Sequence, residues 1–248
     1  ARINRMSKLI EVWGSPNSGK TTLAVKLALH IYSKFKAMVT VVCADSLSPA
    51  FPVIFPNKKA DEMFSIGVPL SKPEITHYEL LKNIVTVKGK SNLGFLGYID
   101  GENRFTYPAY DNFQAEALYK VLKSIADIVI VDCTSDIQNT LTVTALKNAD
   151  AVLRIANPDL KSISFFASQL PLLCDPIYKR DQHIICINST DNTIYEPVNE
   201  SVYHFKGADF LFPFSKKIKY QYATGALTEN LKDKKFNAVL EKLAEEVV

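Results

Sequence analysis

The stretch Gly14-Ser15-Pro16-Asn17-Ser18-Gly19-Lys20-Thr21 fits G-x-x-x-x-G-K-[ST] and limits what this chain can fold into more than any other feature. In that spacing two glycines let the backbone curl, so that successive N–H groups point inward at the α- and β-phosphates of a nucleotide. Lys20 is then placed to reach the β- and γ-phosphates as a point charge, and the Thr21 hydroxyl to ligate Mg²⁺. The flanks suit the motif. Lys8 to Trp13 predicts a short strand entering the loop, and Thr22 to Tyr32 predicts a helix whose N-terminal dipole faces the phosphates. Gly14 to Thr22 is therefore the candidate phosphate-binding run.

A loop of this kind sits on a parallel sheet, and the remaining sequence supplies one. Ala37 to Ala44 is a continuous apolar, β-branched run, as expected of a central strand buried on both faces. It ends at Asp45, on the edge where α/β folds place ligands; an Asx-turn or a helix cap is the structural alternative. Asp127-Ile128-Val129-Ile130-Val131-Asp132 is four aliphatic residues ending in a carboxylate, a Walker-B-type element in which Asp132 holds Mg²⁺ opposite Thr21. Further strands are predicted over 93–99, 150–156, 183–188 and 209–213, about seven in all. Helices are predicted over 74–85, 111–124, 137–147, 159–173, 215–223 and 234–246. In the helix over 111–124, Phe113, Ala117, Leu118, Val121, Leu122 and Ile125 recur at helical spacing and are expected in the core. Alternating strands and helices predict an α/β, doubly wound, mainly parallel sheet with helices on both faces. Residues 51–107, broken by Pro52, Pro56, Pro69 and Pro73, are the least regular part.

The chain of 248 residues, 47% hydrophobic and 22% charged, is large enough for a sizeable core, and one domain over 1–248 is the simplest organisation. Cys43, Cys133, Cys174 and Cys186 form no C-x-x-C pair, and three of them lie in or beside predicted strands, which points to a reducing cytoplasm. No apolar run reaches the roughly 18 residues of a membrane span. Ala1-Arg2-Ile3-Asn4-Arg5-Met6 lacks the apolar stretch of a signal peptide and is compatible with the end of a linker from a further N-terminal domain.

In their order, the P-loop, the strand ending at Asp45, the Ile128–Asp132 element, the run Thr140 to Val152, Asn157-Pro158-Asp159 and Phe212-Pro213 resemble the MinD/ParA family of P-loop ATPases. The likeness runs from about Lys8 to Val248, with 45–107 poorly matched, and extends to divergent members such as the CpaE/TadZ pilus-assembly localisation proteins. The resemblance implies binding of ATP and Mg²⁺, an ATP-dependent homodimer formed face to face over two nucleotides, and a role in positioning another assembly. It implies that Asp45 orients or activates the attacking water, that Asn188 faces the adenine ring, and that backbone near Pro213 closes the base pocket.

The departures bear on turnover. The family's second "signature" lysine is Ser15 here, the glycines that usually follow are Pro16 and Asn17, and the glycine expected after the Walker-B-type strand is Asp136. Losing a cross-dimer cation removes charge stabilisation, and an anion at 136 repels the γ-phosphate unless it is turned away or paired. Nucleotide binding is thus expected with slow or absent hydrolysis, and a non-hydrolysing scaffold is the competing class.

Other features admit further readings. Asn188-Ser189-Thr190-Asp191 has the N-x-x-D spacing of guanine-binding proteins, with Ser189 in place of the usual lysine, so a GTP-binding protein is an alternative. A small-molecule kinase would need a substrate pocket over 51–107. Lys216, Lys217, Lys219, Lys232, Lys234 and Lys235, with Tyr220 and Tyr222, could meet DNA phosphates, though a solvated face is preferred. The last helix carries Phe236, Val239, Leu240, Leu243 and Val247 on one face and Glu241, Glu245 and Glu246 on the other, which suits packing better than an anionic membrane surface. The histidines His30, His77, His183 and His204 show no metal-ligand spacing.

Overall fold

Aliphatic, β-branched runs dominate the strands because these are buried on both faces, and a parallel arrangement follows from the helices between them. The computed structural model describes residues 6–191, 193–194 and 197–248, so the linker reading of residues 1–6 lies outside it except for Met6. Its strands are β1 (Lys8–Gly14), β2 (Val39–Cys43), β3 (Val85–Val87), β4 (Lys90–Gly97), β5 (Ile128–Asp132), β6 (Ala151–Ala156), β7 (Ile184–Thr190) and β8 (Phe210–Pro213). They form an eight-stranded sheet in the order β3-β4-β2-β5-β1-β6-β7-β8. All neighbours pair in parallel except β3, which runs antiparallel to β4. The helices are α1 (Lys20–Phe35), α2 (Phe51–Ile54), α3 (Gly67–Leu70), α4 (His77–Asn83), α5 (Asn112–Ile125), α6 (Thr140–Asn148), α7 (Leu160–Gln169), α8 (Val198–Phe205), α9 (Lys216–Ala223) and α10 (Lys234–Val247).

Alternation along each strand divides the core into two layers. On one side Ile10 and Val12 of β1, with Ile128 and Ile130 of β5, pack under Leu23, Leu27 and Ile31 of α1 and Phe236, Leu240 and Leu243 of α10. Each such side chain, fully buried, contributes about 1.5–3 kcal/mol. On the other side Leu9 and Trp13, with Val129 and Val131, meet Leu118 and Leu122 of α5, Leu141 of α6 and Phe166 of α7. The same alternation places Asp132 on the α1 face and Glu11 on the opposite face.

The structure departs from expectation in four places. The sheet has eight strands rather than about seven, because β3 is only three residues long and leaves no periodic trace. The helix expected over 74–85 is shorter: Thr76 caps α4, and Ile84 turns extended, releasing Val85 into β3. Phe113 is 80% exposed rather than core; the buried stripe of α5 is Ala115, Leu118, Tyr119 and Leu122. At 3.6 residues per turn Phe113 lies well off the face of Leu118. Finally, α2, α3 and α8 had no expected counterparts.

The last helix packs as its pattern implies. Phe236, Leu240, Leu243 and Val247 are buried, and Lys34 of α1 pairs with Glu241 and with Glu245 (2.8 Å). The apolar face of α10 is therefore occupied within the chain. Among the described residues no helix is long and apolar enough to cross a membrane.

Candidate functional site

The C-terminal ends of β1, β2 and β5 and the N-terminus of α1 converge on a cavity of about 1040 Å³. The loop between β1 and α1 can follow its path only because of its glycines. A Cβ at Gly14 would stand 1.9 Å from the Ile155 carbonyl oxygen, and Gly19 holds φ +91° against the Asn188 amide. Asn17 takes the left-handed conformation (φ 58°) that asparagine tolerates, and its carbonyl accepts from Asn157 Nδ2 at 3.1 Å. Pro16 and Asn17 face outward, whereas Ser15 and Ser18 are fully buried.

One property sets α1 apart from the other long helices. Helices α5, α6, α7 and α10, the others of nine residues or more, each have a side-chain cap, from Asp111, Asn139, Asp159 and Asp233, while the N-cap of α1 is Gly19 with no side-chain bond. Its first N–H groups and the positive end of its dipole therefore point into the cavity unmatched by a side chain.

Lys20, Thr21 and Asp132 are brought together as the sequence predicts. The Lys20 ammonium donates to Ser15 O (2.9 Å), to Ser135 Oγ (2.7 Å) and more weakly to Gly14 O (3.4 Å). Burial pulls its pKa down, opposed by the carboxylates of Asp132 and Asp45. Thr21 Oγ1 donates to Asp132 Oδ2 at 2.7 Å. Burial pushes the Asp132 carboxyl up to about 7, against the Thr21 hydroxyl and Lys20, which favour its ionised form. A hydroxyl and a buried carboxylate on facing elements are hard oxygen donors, a set that fits Mg²⁺ completed by phosphate and water. Among the described residues no cluster of three or more His, Cys, Asp or Glu side chains offers another metal site.

Asp45 lines the cavity and also closes an Asx-turn, its Oδ1 accepting from Leu47 N (2.8 Å) and Ser48 N (3.1 Å). The ligand-edge position and the turn, set out above as alternatives, are thus both present. Asp136 is exposed on the same rim, its Oδ1 accepting from Gln138 N at 2.8 Å. Ser15, at the position of the family's signature lysine, is turned inward: its Oγ lies 2.8 Å from Ser162 Oγ of α7.

At the other end of the cavity stand Asn188, Ser189, Pro213, Phe214, Lys219 and Tyr222. Strand β7 runs on to Thr190, so Asn188 lies within it rather than at its end, and its amide donates to Ser18 O at 2.8 Å. Thr22, in the first turn of α1, also borders the cavity. Asp191 closes a local turn instead, its Oδ1 accepting from Thr193 N (2.9 Å) and Thr193 Oγ1 (2.6 Å). The lysines of α9 and of residues 232–235 lie at the surface.

Several residues of this site carry no sequence signal. Ser135 receives the P-loop lysine. Trp13, fully buried, sends Nε1 toward Ser135 O at 3.4 Å and rests on Phe165 and Phe166. Beyond Asp45 the cavity continues between Gly67, Leu70, Tyr98, Arg104, Tyr107 and Tyr110, in the segment that was least legible. Glu11 in the central strand is fully buried; its Oε1 accepts from Cys133 Sγ at 3.0 Å, its Oε2 has no partner among the described residues, and burial pushes its pKa well above the ordinary carboxylate range.

No protein-family model matches the chain, and no curated protein matches it by sequence. Solved structures do match. A ParA family ATPase from Chlorobium tepidum TLS superposes with a TM-score of 0.77 at 15% identity, over 98% of this chain and 99% of that one. This chain has the MinD/ParA fold. The septum site-determining protein MinD from Pyrococcus horikoshii OT3, complexed with Mg-ADP, gives 0.68 at 16% identity over 98% and 96% of the two chains. A variant of Cyanothece McdA in complex with ATP gives 0.68 at 17% identity over 98% and 96%. The resemblance drawn from motif order thus holds at the level of the MinD/ParA fold.

Proposed function

We propose that this protein is an ATP- and Mg²⁺-binding switch that positions or assembles another cellular machine in the cytoplasm, dimerising face to face with ATP and hydrolysing it slowly or not at all. The observation that carries the proposal is the junction of an uncapped α1 N-terminus with Lys20, Thr21 and Asp132 in a MinD/ParA fold. Nucleotide phosphates would take the N–H groups of Ser18 to Thr22, and Lys20 would exchange Ser15 O and Ser135 Oγ for β- and γ-phosphate oxygens. Mg²⁺ bound through Thr21 and Asp132 would neutralise charge between the β- and γ-phosphates. Asp45, at the terminal-phosphate end, would orient the attacking water. The adenine would lie between Asn188 and the Pro213–Phe214 backbone.

Adenine is favoured over guanine because the Asp191 carboxylate is committed to the Thr193 turn. Solved neighbours hold ADP, ATP or AMPPNP. Slow turnover is supported by Ser15, whose hydroxyl bonds Ser162 within its own chain and offers no cation to a partner. The same observation favours a second reading, a scaffold stabilised by nucleotide without hydrolysis.

Light scattering tests the proposal: molar mass without nucleotide and with Mg²⁺ plus ATP or GTP, with Lys20→Ala as control. A doubling with ATP alone, lost in the control, is the expected result. Absence of any nucleotide binding overturns it. Phosphate release that stops in Asp45→Ala selects the switch; dimer formation without release selects the scaffold.

A further inference from the structure

The terminal-phosphate end of the cavity is short of positive charge. The carboxylates of Asp45, Asp132 and Asp136 border it, and the P-loop contributes only Lys20, since Ser15 is buried against Ser162. Among the described residues lining the cavity, the cations are Lys20, Arg104 and Lys219. Lys219 belongs to α9, following β8 at the far edge of the sheet, beside Pro213 and Phe214. Arg104 lies in the connection that follows β4, and β4 pairs with β2, whose end carries Asp45. Strand order thus sets Arg104 on the acidic side.

The turn that carries Arg104 is firmly built. Glu102 accepts from Tyr107 Oη (2.6 Å), Ser65 Oγ (2.6 Å) and Ile99 N (2.9 Å). Asn103 N donates to Thr106 Oγ1 (2.9 Å), Thr106 N to Asn103 O (2.9 Å), and Phe105 N to Asn103 Oδ1 (3.0 Å). Glu102, the nearest carboxylate in sequence, is thereby occupied three ways. The ion pairs among the described residues do not involve Arg104. Its guanidinium instead lies 4.7 Å from the centroid of the exposed Phe105 ring, a contact that holds it without neutralising it. A charged fork on a braced turn, exposed at the lining of an acidic cavity and without a carboxylate partner among the described residues, is suited to a phosphate.

Resting on the ATP-binding reading above, we propose that Arg104 is the cation that contacts the terminal phosphate of the nucleotide bound in its own cavity, in place of the missing P-loop lysine. It would donate N–H groups to γ-phosphate oxygens and make no contact with the α- and β-phosphates. The site then distinguishes tri- from diphosphate through Arg104.

The test is calorimetric titration of Mg·AMPPNP and Mg·ADP into wild type, Arg104→Ala and Arg104→Lys at fixed ionic strength. Wild type should prefer AMPPNP. Arg104→Ala should weaken AMPPNP on the order of 10–100-fold, as for a lost hydrogen bond to a charged group, and leave ADP within about twofold. Arg104→Lys, which keeps the charge without the fork, should recover part of the loss. An unchanged AMPPNP-to-ADP ratio in Arg104→Ala, or equal loss for both nucleotides, overturns the role of Arg104 while leaving ATP binding intact. Wild type that binds neither nucleotide overturns the ATP-binding reading and this proposal with it.

Discussion

Two walls of one cavity are built by different means. The P-loop wall, from β1, α1 and the end of β5, works mainly through backbone: glycines, left-handed residues and an uncapped helix end, with Lys20, Thr21 and Asp132 as its few committed side chains. The wall over residues 98–110 works through side chains: Glu102 grips three donors, Tyr98 and Tyr110 hydroxyls meet at 3.4 Å, and Arg104 stands on Phe105. Backbone construction leaves little room for substitution and yields a short pattern in sequence. Side-chain construction tolerates many solutions, and the residues that cooperate are far apart along the chain.

The sharpest way to separate the walls is Lys20→Ala. It removes the charge that the first wall presents, and nucleotide affinity should fall on the order of 100-fold for ADP and ATP alike, read by titration. The folded state should survive, because Lys20 bonds only to carbonyls and a hydroxyl at the cavity surface. Equal binding by this variant would show that the loop does not hold phosphate.

The contrast also explains what was legible. The P-loop spacing and the aliphatic runs ending at Asp45 and Asp132 could be read because each is contiguous and its geometry local. Strand order could be expected only as a class. Other features depend on partners distant in sequence: Ser15 meets Ser162, Lys20 meets Ser135, and Asn188 meets Ser18. Phe113 misled because an apolar residue in the first helical turn fits the spacing yet points away from the sheet. Nothing in the run from Gly101 to Tyr110 marks Arg104, since the brace comes from Ser65 and Ile99 as well as from the turn itself.

The P-loop wall rests on a strand with a buried acid, and this should make it pH-sensitive in a way the other wall is not. Glu11 has a folded pKa raised well above its unfolded value by burial. The stabilisation from keeping it neutral is complete below the unfolded pKa and is lost as pH rises toward the folded one. As pH rises above the ordinary carboxylate range, urea denaturation should show wild type losing stability relative to Glu11→Gln, by at most about 1.4 kcal/mol per pH unit. Parallel curves for the two proteins would mean that Glu11 ionises normally in the folded state.

On the second wall, Glu102→Ala removes the acceptor for Tyr107, Ser65 and Ile99 together. Buried Ser65 is left without this partner, so a cost of about 1–3 kcal/mol in unfolding free energy is expected. With the turn loosened, AMPPNP binding should weaken by up to about tenfold while ADP binding holds, in contrast to the uniform loss in Lys20→Ala. A uniform loss here would show that the two walls are coupled through the sheet rather than independent.

The smallest effect separates the wall from its support. Phe113 and Tyr119 both lie on α5, which follows the 98–110 segment, but Phe113 is 80% exposed whereas Tyr119 is 2% exposed and donates its hydroxyl to Leu141 O at 2.8 Å. Phe113→Ser should change unfolding free energy by no more than about 0.5 kcal/mol, because an exposed side chain has little burial to lose. Tyr119→Phe removes the second hydrogen bond to the Leu141 carbonyl, which keeps its place in the α6 ladder, and should cost about 0.5–1.5 kcal/mol. If Phe113→Ser proved as costly as Tyr119→Phe, the ring would have to be covered by a surface outside this chain. The difference between the two variants, measured in one denaturation series, therefore fixes which side of α5 supports the sheet and which side is left open to solvent beside the cavity.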